Sequence, residues 1–142
     1  MVDDTLFGKF PRPPCADLLG LTLLDHNPAE RWARFAFEGR PEFLNPAGFI
    51  QGGMLAAMLD DTMGPTALLV SGGTLYTATI SMNVSFLQPA KPGRLLSEGR
   101  VLSMGKTIAF LEATLSNVEG TALARATASA RLVPVEKLPP QP

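Results

Sequence analysis

Between Glu42 and Lys91 the chain carries only two charged side chains, Asp60 and Asp61, and both lie in one apolar run of helical character. Residues 51–70 show no strand alternation, are rich in Ala, Leu and Met, and end at Ser71-Gly72-Gly73, a helix stop. A helix facing water carries several Lys or Glu on its outer side. This one has none, so it is expected to be covered on nearly every side. Pro65 lies inside it and donates no N–H, which predicts a bend or a loosened ladder near residues 63–65.

The rest of the chain reads as strands. Two runs precede the helix, 21–25 and 31–37, joined by His26-Asn27-Pro28 as a turn. Four follow it: 75–87, 94–104, 107–116 and 121–133. The last alternates most regularly, with Ala122, Ala124, Ala126, Ala128 and Ala130 on one face and Leu123, Arg125, Thr127, Ser129 and Arg131 on the other. A short helix at Pro14–Leu19 is expected to carry Cys15 inward. A sheet must cover its apolar face, and only one long helix is available to do so. The expected architecture is α+β, an antiparallel meander wrapped around a central helix. Residues 1–13 read as an arm, 14–135 as the domain and 136–142 as a disordered tail.

At about 100° per residue, Asp60 shares a stripe with Gly53, Ala56, Ala57, Gly64 and Ala67. Met54, Leu55, Met58 and Leu69 form the opposite, sheet-facing side. Burying a carboxylate without compensation is costly, so Asp60 on its small-residue stripe is a candidate catalytic acid. Asp61 is rotated to the flank, where loop backbone or solvent would satisfy it. At the helix start, Gly52 and Gly53 leave the first N–H groups unobstructed, and such groups stabilise a developing oxyanion. Positions 51 and 60 lie roughly 13 Å apart along a helix axis, so one carbonyl cannot touch both. Two helices packed antiparallel about a twofold axis would bring Gly52 of one chain near Asp60 of another, which predicts a dimer with two shared sites.

Other chemistries find little support. Net charge is −1, so no global field draws nucleic acid. No uninterrupted apolar stretch reaches the ~18 residues of a membrane span. Yet only 18% of residues are charged, below the ~25% typical of soluble chains, which suits a soluble oligomer. The single cysteine excludes an internal disulfide, and the single histidine, His26, reads as a surface turn residue that leaves no metal site or Ser-His-Asp triad. The acidic N-terminus lacks an apolar secretory core, so a cytoplasmic location is expected.

The segment from Asn45 to Asp60, NPAGFIQGGMLAAMLD, resembles the signature of hot-dog-fold thioesterases of the phenylacetate-degradation (PaaI-like) type: Asn, then His-Gly-Gly, then an acid nine residues beyond the His. Residues 82–90 resemble the strand that follows in that family, and Gly105-Lys106-Thr107 its next turn; the likeness runs from about residue 19 to 132. It implies a hot-dog fold and an acyl-CoA thioesterase. Asp60 would be general base or nucleophile, and the Gly52 N–H, helped by Gln51, would polarise the thioester carbonyl. Asn45 would place water or the loop, and Thr79 would assist the acid across the interface. Gly53 and Phe49 would border the substrate, while Arg94, Arg100, Gly105 and Lys106 would meet CoA phosphates. No cofactor is implied, CoA being part of the substrate. Gln51 stands where the family has His and cannot titrate near neutrality, so proton transfer would rest on Asp60 alone. That departure favours one alternative, a non-catalytic acyl-CoA or lipid-binding protein. Dimer and tetramer, and the acyl group itself, stay open.

Overall fold

A computed structural model describes residues 12–139; residues 1–11 of the expected arm and 140–142 of the expected tail lie outside the described residues. Helix α1 (Pro14–Leu19) leads into strands β1 (Thr22–Asn27) and β2 (Trp32–Gly39), followed by a 3₁₀ turn at Pro41–Phe43. Helix α2 (Gly52–Val70) comes next, then β3 (Leu75–Phe86), β4 (Gly93–Met104), β5 (Ile108–Asn117) and β6 (Ala122–Pro134). A 3₁₀ turn at Val135–Lys137 ends the described chain. The strands form one six-stranded antiparallel sheet in the order β1-β2-β4-β5-β6-β3, and α2 packs against β2 to β6. This is the expected sheet wrapped around a long helix.

The strand order corrects one expectation. β3 does not begin a meander; it pairs with β6 at the far edge, and β4 inserts between β2 and β5. The chain is beside that edge throughout α2: Gly52, at the helix start, lies against Phe86 at the end of β3, while Gly64 and Asp60 lie against Thr77 and Thr79 near its start. Residues 87–92 then return it, anchored where the Ile50 N–H donates to the buried Ala90 carbonyl at 2.8 Å.

Helix and sheet meet through Leu55, Met58, Leu59, Met63, Ala67 and Leu68, all buried. Met54 and Leu69, expected on this face, are only half-buried, whereas Ala67 from the small-residue stripe is fully buried. The contact is close at Gly99 in β4. A Cβ built there would lie 2.3 Å from Thr66 Oγ1 and 3.1 Å from Thr62 Cγ2. Thr62 donates to the Met58 carbonyl at 2.7 Å and sits 2.8 Å from Ser97 Oγ in β4, so both buried hydroxyls are satisfied. Pro65 is accommodated within a continuous α2; its missing N–H leaves the Asp61 carbonyl without its intrahelical donor. The helix stops where Gly72 and Gly73 take positive φ (70° and 82°) and the Gly73 N–H closes on Leu68 O, as a C-terminal glycine cap requires.

Two local expectations change. Cys15 is exposed, because α1 buries Ala16 and Leu19, one turn apart, and Cys15 lies about 100° off that stripe. His26 sits within β1 opposite Ala33. The reversal falls at residues 28–31, where Arg31 adopts φ 64° and its N–H donates to Pro28 O. Of the β6 alanine face, Ala124, Ala126, Ala128 and Ala130 are buried and Ala122 is half-buried, while Leu123 from the other face is buried as well.

Candidate active site

The first part of the site is built on the middle of α2. Asp60 lies on the flank of the helix beside β3 and is exposed in the single chain. Thr79, on edge strand β3, donates its hydroxyl to Asp60 Oδ1 at 2.9 Å. This contact forms within one chain rather than across an interface. It follows from the topology, because β3 runs back along α2 immediately after the helix ends.

Asp60 and Thr79 line a cavity of about 340 Å³ together with Asp61, Cys15, Gly64 and Tyr76. Asp61 departs from its sequence-level reading: instead of facing loop backbone or solvent, its Oδ2 is sealed and has no hydrogen-bond partner among the described residues. Burial pushes its carboxyl up to about 6, the neighbouring Asp60 charge adds to the rise, and Arg12 opposes it. The Cys15 thiol is raised as well, first by burial and then by the Asp61 and Asp60 charges. An uncharged thiol at neutral pH is a poor nucleophile.

The second part lies at the start of α2. Gln51 is the N-cap residue, exposed and without a side-chain capping bond, and Gly52 is the first helical residue. Asn45 fixes the approach: its Oδ1 accepts from the Ala47 and Phe49 N–H groups at 2.9 and 3.1 Å. Its side chain therefore holds the loop. Asn45, Phe49 and Gly52 line a second cavity of about 370 Å³ with Leu55, Phe86 and Pro89. The Phe86 ring approaches within 3.3 Å of where a Gly52 Cβ would stand. Gly53 is exposed with open space above it.

These two cavities share no lining residue. The fold thus brings together Asp60 with Thr79, and Asn45 with Phe49 and Gly52, but not one group with the other. The basic residues are dispersed too. Arg94 opens β4 beside a third cavity, which also includes Lys91 and Glu119. Arg100 lies 3.4 Å from Glu98. Gly105-Lys106 form the β4–β5 turn, roughly 40 Å along the strand from Arg94. A single phosphate group cannot meet both ends within one chain.

Residues 47–124, more than half of the chain, match the thioesterase superfamily. The chain belongs to that superfamily. This thioesterase-superfamily protein is 32% identical over 77 residues to human acyl-coenzyme A thioesterase 13, a match covering 54% of each chain. It spans between about half and two thirds of the length of such curated relatives. A phenylacetic acid degradation-related protein from Ralstonia eutropha JMP134 superposes with a TM-score of 0.81 at 32% identity, covering 89% of this chain and 96% of that one. The PaaI protein of the E. coli phenylacetic acid degradation operon superposes at 0.77 with 19% identity, covering 86% of each; that likeness bears on the fold alone. Both superpositions are with the hot-dog architecture.

Asp61 is the residue that sequence reasoning misjudged. Its position beside Asp60 was visible, but its burial depends on how α1 and β3 close over the flank of α2, which no local pattern encodes.

Proposed function

We propose that this protein hydrolyses an acyl-CoA thioester to the free acid and CoA. The observation that carries the reading is the Thr79–Asp60 hydrogen bond at the mouth of a cavity on the superfamily's helix. Asp60 acts as general base on water, or as the nucleophile itself. The hydroxyl of Thr79 fixes one carboxylate oxygen and leaves the other free for that work. At the start of a second chain's α2, the Gly52 N–H, with Gln51 beside it, polarises the thioester carbonyl and holds the oxyanion. The acyl group lies among apolar side chains such as Phe49, and exposed cations meet the CoA phosphates. The separation of the two cavities supports a site assembled from two copies, since neither cavity holds both an acid and a helix N-terminus.

Free-thiol release from a panel of acyl-CoA esters tests the reading. Asp60→Asn should lower kcat by ~10² or more, the size expected for losing a general base. Mixing Asp60→Asn with a variant blocked at Gly52 tests the shared site. Each variant alone is inactive, whereas mixed dimers hold one intact site and restore about a quarter of wild-type activity. No recovery on mixing would place both groups of the site in one chain.

Gln51 supports a second reading, a non-catalytic acyl-CoA-binding protein, because the side chain at this N-cap cannot exchange a proton near neutral pH. Binding of CoA esters without thiol release, by wild type and Asp60→Asn alike, would establish it.

A further inference from the structure

The cavity that includes Asp60 and Thr79 has one wall that the chemistry above does not use. Pro13 and Cys15, at the start of α1, line it from that side. Both lie outside the residues 47–124 that match the superfamily, so this wall comes from a part of the chain beyond the shared segment. Cys15 is exposed and carries a small side chain, which leaves the cavity wide on the α1 side. The opposite wall runs along α2. It begins with Asp60 and Asp61, passes Gly64, which has no side chain, and reaches Leu68, about 12 Å beyond Asp60 at ~1.5 Å per residue. The cavity is therefore acidic at one end and apolar at the other.

A thioester held between Asp60 and the Gly52 of a second chain extends in two directions, and charge decides which limb enters here. The CoA limb carries several phosphate charges. The lining of this cavity includes two carboxyls and, among the described residues, no Lys or Arg, so it disfavours that limb. Arg12, whose charge reaches Asp61, is engaged with Asp17 and with the Ala16 and Leu21 carbonyls. The cavity beside Gly52 instead shares Pro89 with the one that includes Lys91 and Arg94. Both cations are exposed, and they give phosphate oxygens charged donors.

We propose that the acyl group occupies the cavity walled by α1, and that Cys15 is a specificity-determining residue whose small side chain admits a bulky acyl group. The proposal rests on the thioesterase reading above and names its substrate class, the CoA ester of an apolar acid of medium size. An apolar cavity of about 150 Å³ takes up one benzene molecule, so about 340 Å³ accommodates on the order of ten carbon atoms. Phe49 of the second chain flanks the thioester end of the acyl group, and Leu68 ends its path.

Two measurements on the full chain test this. Cys15 is the single cysteine, so a maleimide labels one site, and mass spectrometry gives the rate. S-octyl-CoA, a thioether that cannot be hydrolysed, and desulfo-CoA, which has the CoA limb alone, are each added at a concentration that fully inhibits thiol release. S-octyl-CoA should slow labelling about tenfold or more, whereas desulfo-CoA should leave the rate within about twofold. The second measurement is kcat/KM for octanoyl-CoA relative to acetyl-CoA. Cys15→Phe should lower that ratio by about tenfold or more, mainly through KM, and Cys15→Ser, which keeps the size, should preserve it. Equal protection by both analogues would put the CoA limb in this cavity and overturn the proposal. Protection by neither, or an unchanged ratio in a folded Cys15→Phe, would overturn it while wild-type thiol release leaves the thioesterase reading standing. Should Cys15→Phe not fold, the labelling rates decide alone. If wild type releases thiol from no ester, the thioesterase reading fails and the proposal fails with it.

Discussion

A hydroxyl that donates to one oxygen of a carboxylate fixes its orientation and leaves the second oxygen for chemistry. That is the relation of Thr79 to Asp60. Hydrogen bonds to charged groups contribute about 1.5–3 kcal/mol, although Asp60 is exposed in the single chain and solvent weakens the effect. Thr79→Val should therefore lower kcat on the order of tenfold with little change in KM, measured by steady-state thiol release. A larger rise in KM than fall in kcat would give Thr79 a binding role instead. At the other end of the helix, Gly52 offers a cleaner substitution than most. Proline is tolerated at the first helical position, and Gln51, at φ −57° and ψ 136°, already has the extended backbone that a following proline demands. Gly52→Pro removes the proposed oxyanion donor, with Phe86 giving way slightly to the ring. The expected loss is ~10²–10³ in kcat, with thermal unfolding showing the fold retained. Unchanged kcat would remove Gly52 from the mechanism.

The elements meet most tightly where α2 crosses β4. Gly99 leaves room for the Thr62 and Thr66 side chains, and a methyl group there would stand 2.3 Å from Thr66 Oγ1. Gly99→Ala should destabilise the fold by about 1–3 kcal/mol, the range for overpacking, read from urea unfolding. A neutral effect would mean that Thr66 can rotate away from its bond to the Thr62 carbonyl. Helix α2 also carries a carboxyl raised by burial. Asp61 binds its proton more tightly when folded, at about 6, than when unfolded, at about 4. Its contribution to stability is therefore full below pH 4 and lost as pH rises through 6. Relative to Asp61→Asn, wild type should lose stability between pH 4.5 and 7, by on the order of 1–3 kcal/mol. A pH-independent difference between the two unfolding curves would show that Asp61 ionises normally.

Over the whole molecule, apolar side chains remain at the surface of the single chain. Edge strand β3 exposes Tyr76, Ile80 and Phe86 at 44, 61 and 55%, and its outer edge has no neighbouring strand among the described residues. Long apolar edges are templates for pairing with another chain. If the site is shared between copies, activity per chain should fall on dilution at the same concentration at which sedimentation shows the dimer dissociating. Constant specific activity through that transition would separate catalysis from assembly. Among the described residues no helix is long and apolar enough to cross a membrane.

Sequence alone was enough for most of the elements. Residues 51–70 had the length, the glycine stop and the scarcity of charge that make one sheet-packed helix. The alternation through β6 specified which alanines turn inward, since a period of two depends only on the local backbone. The spacing from Asn45 to Asp60 was enough to suggest the family and the candidate site. Tertiary structure decided what depends on residues far apart in the chain. It sent β3 to the far edge, where the strand runs antiparallel along α2. By the same path it brought the Thr79 hydroxyl onto Asp60 within one chain. It turned Cys15 outward, moved the reversal past His26, and set Arg94 and Lys106 at opposite ends of β4. Above all it shielded the Oδ2 of Asp61 from solvent, since burial is a property of everything packed around a residue and no stretch of neighbouring sequence carries it.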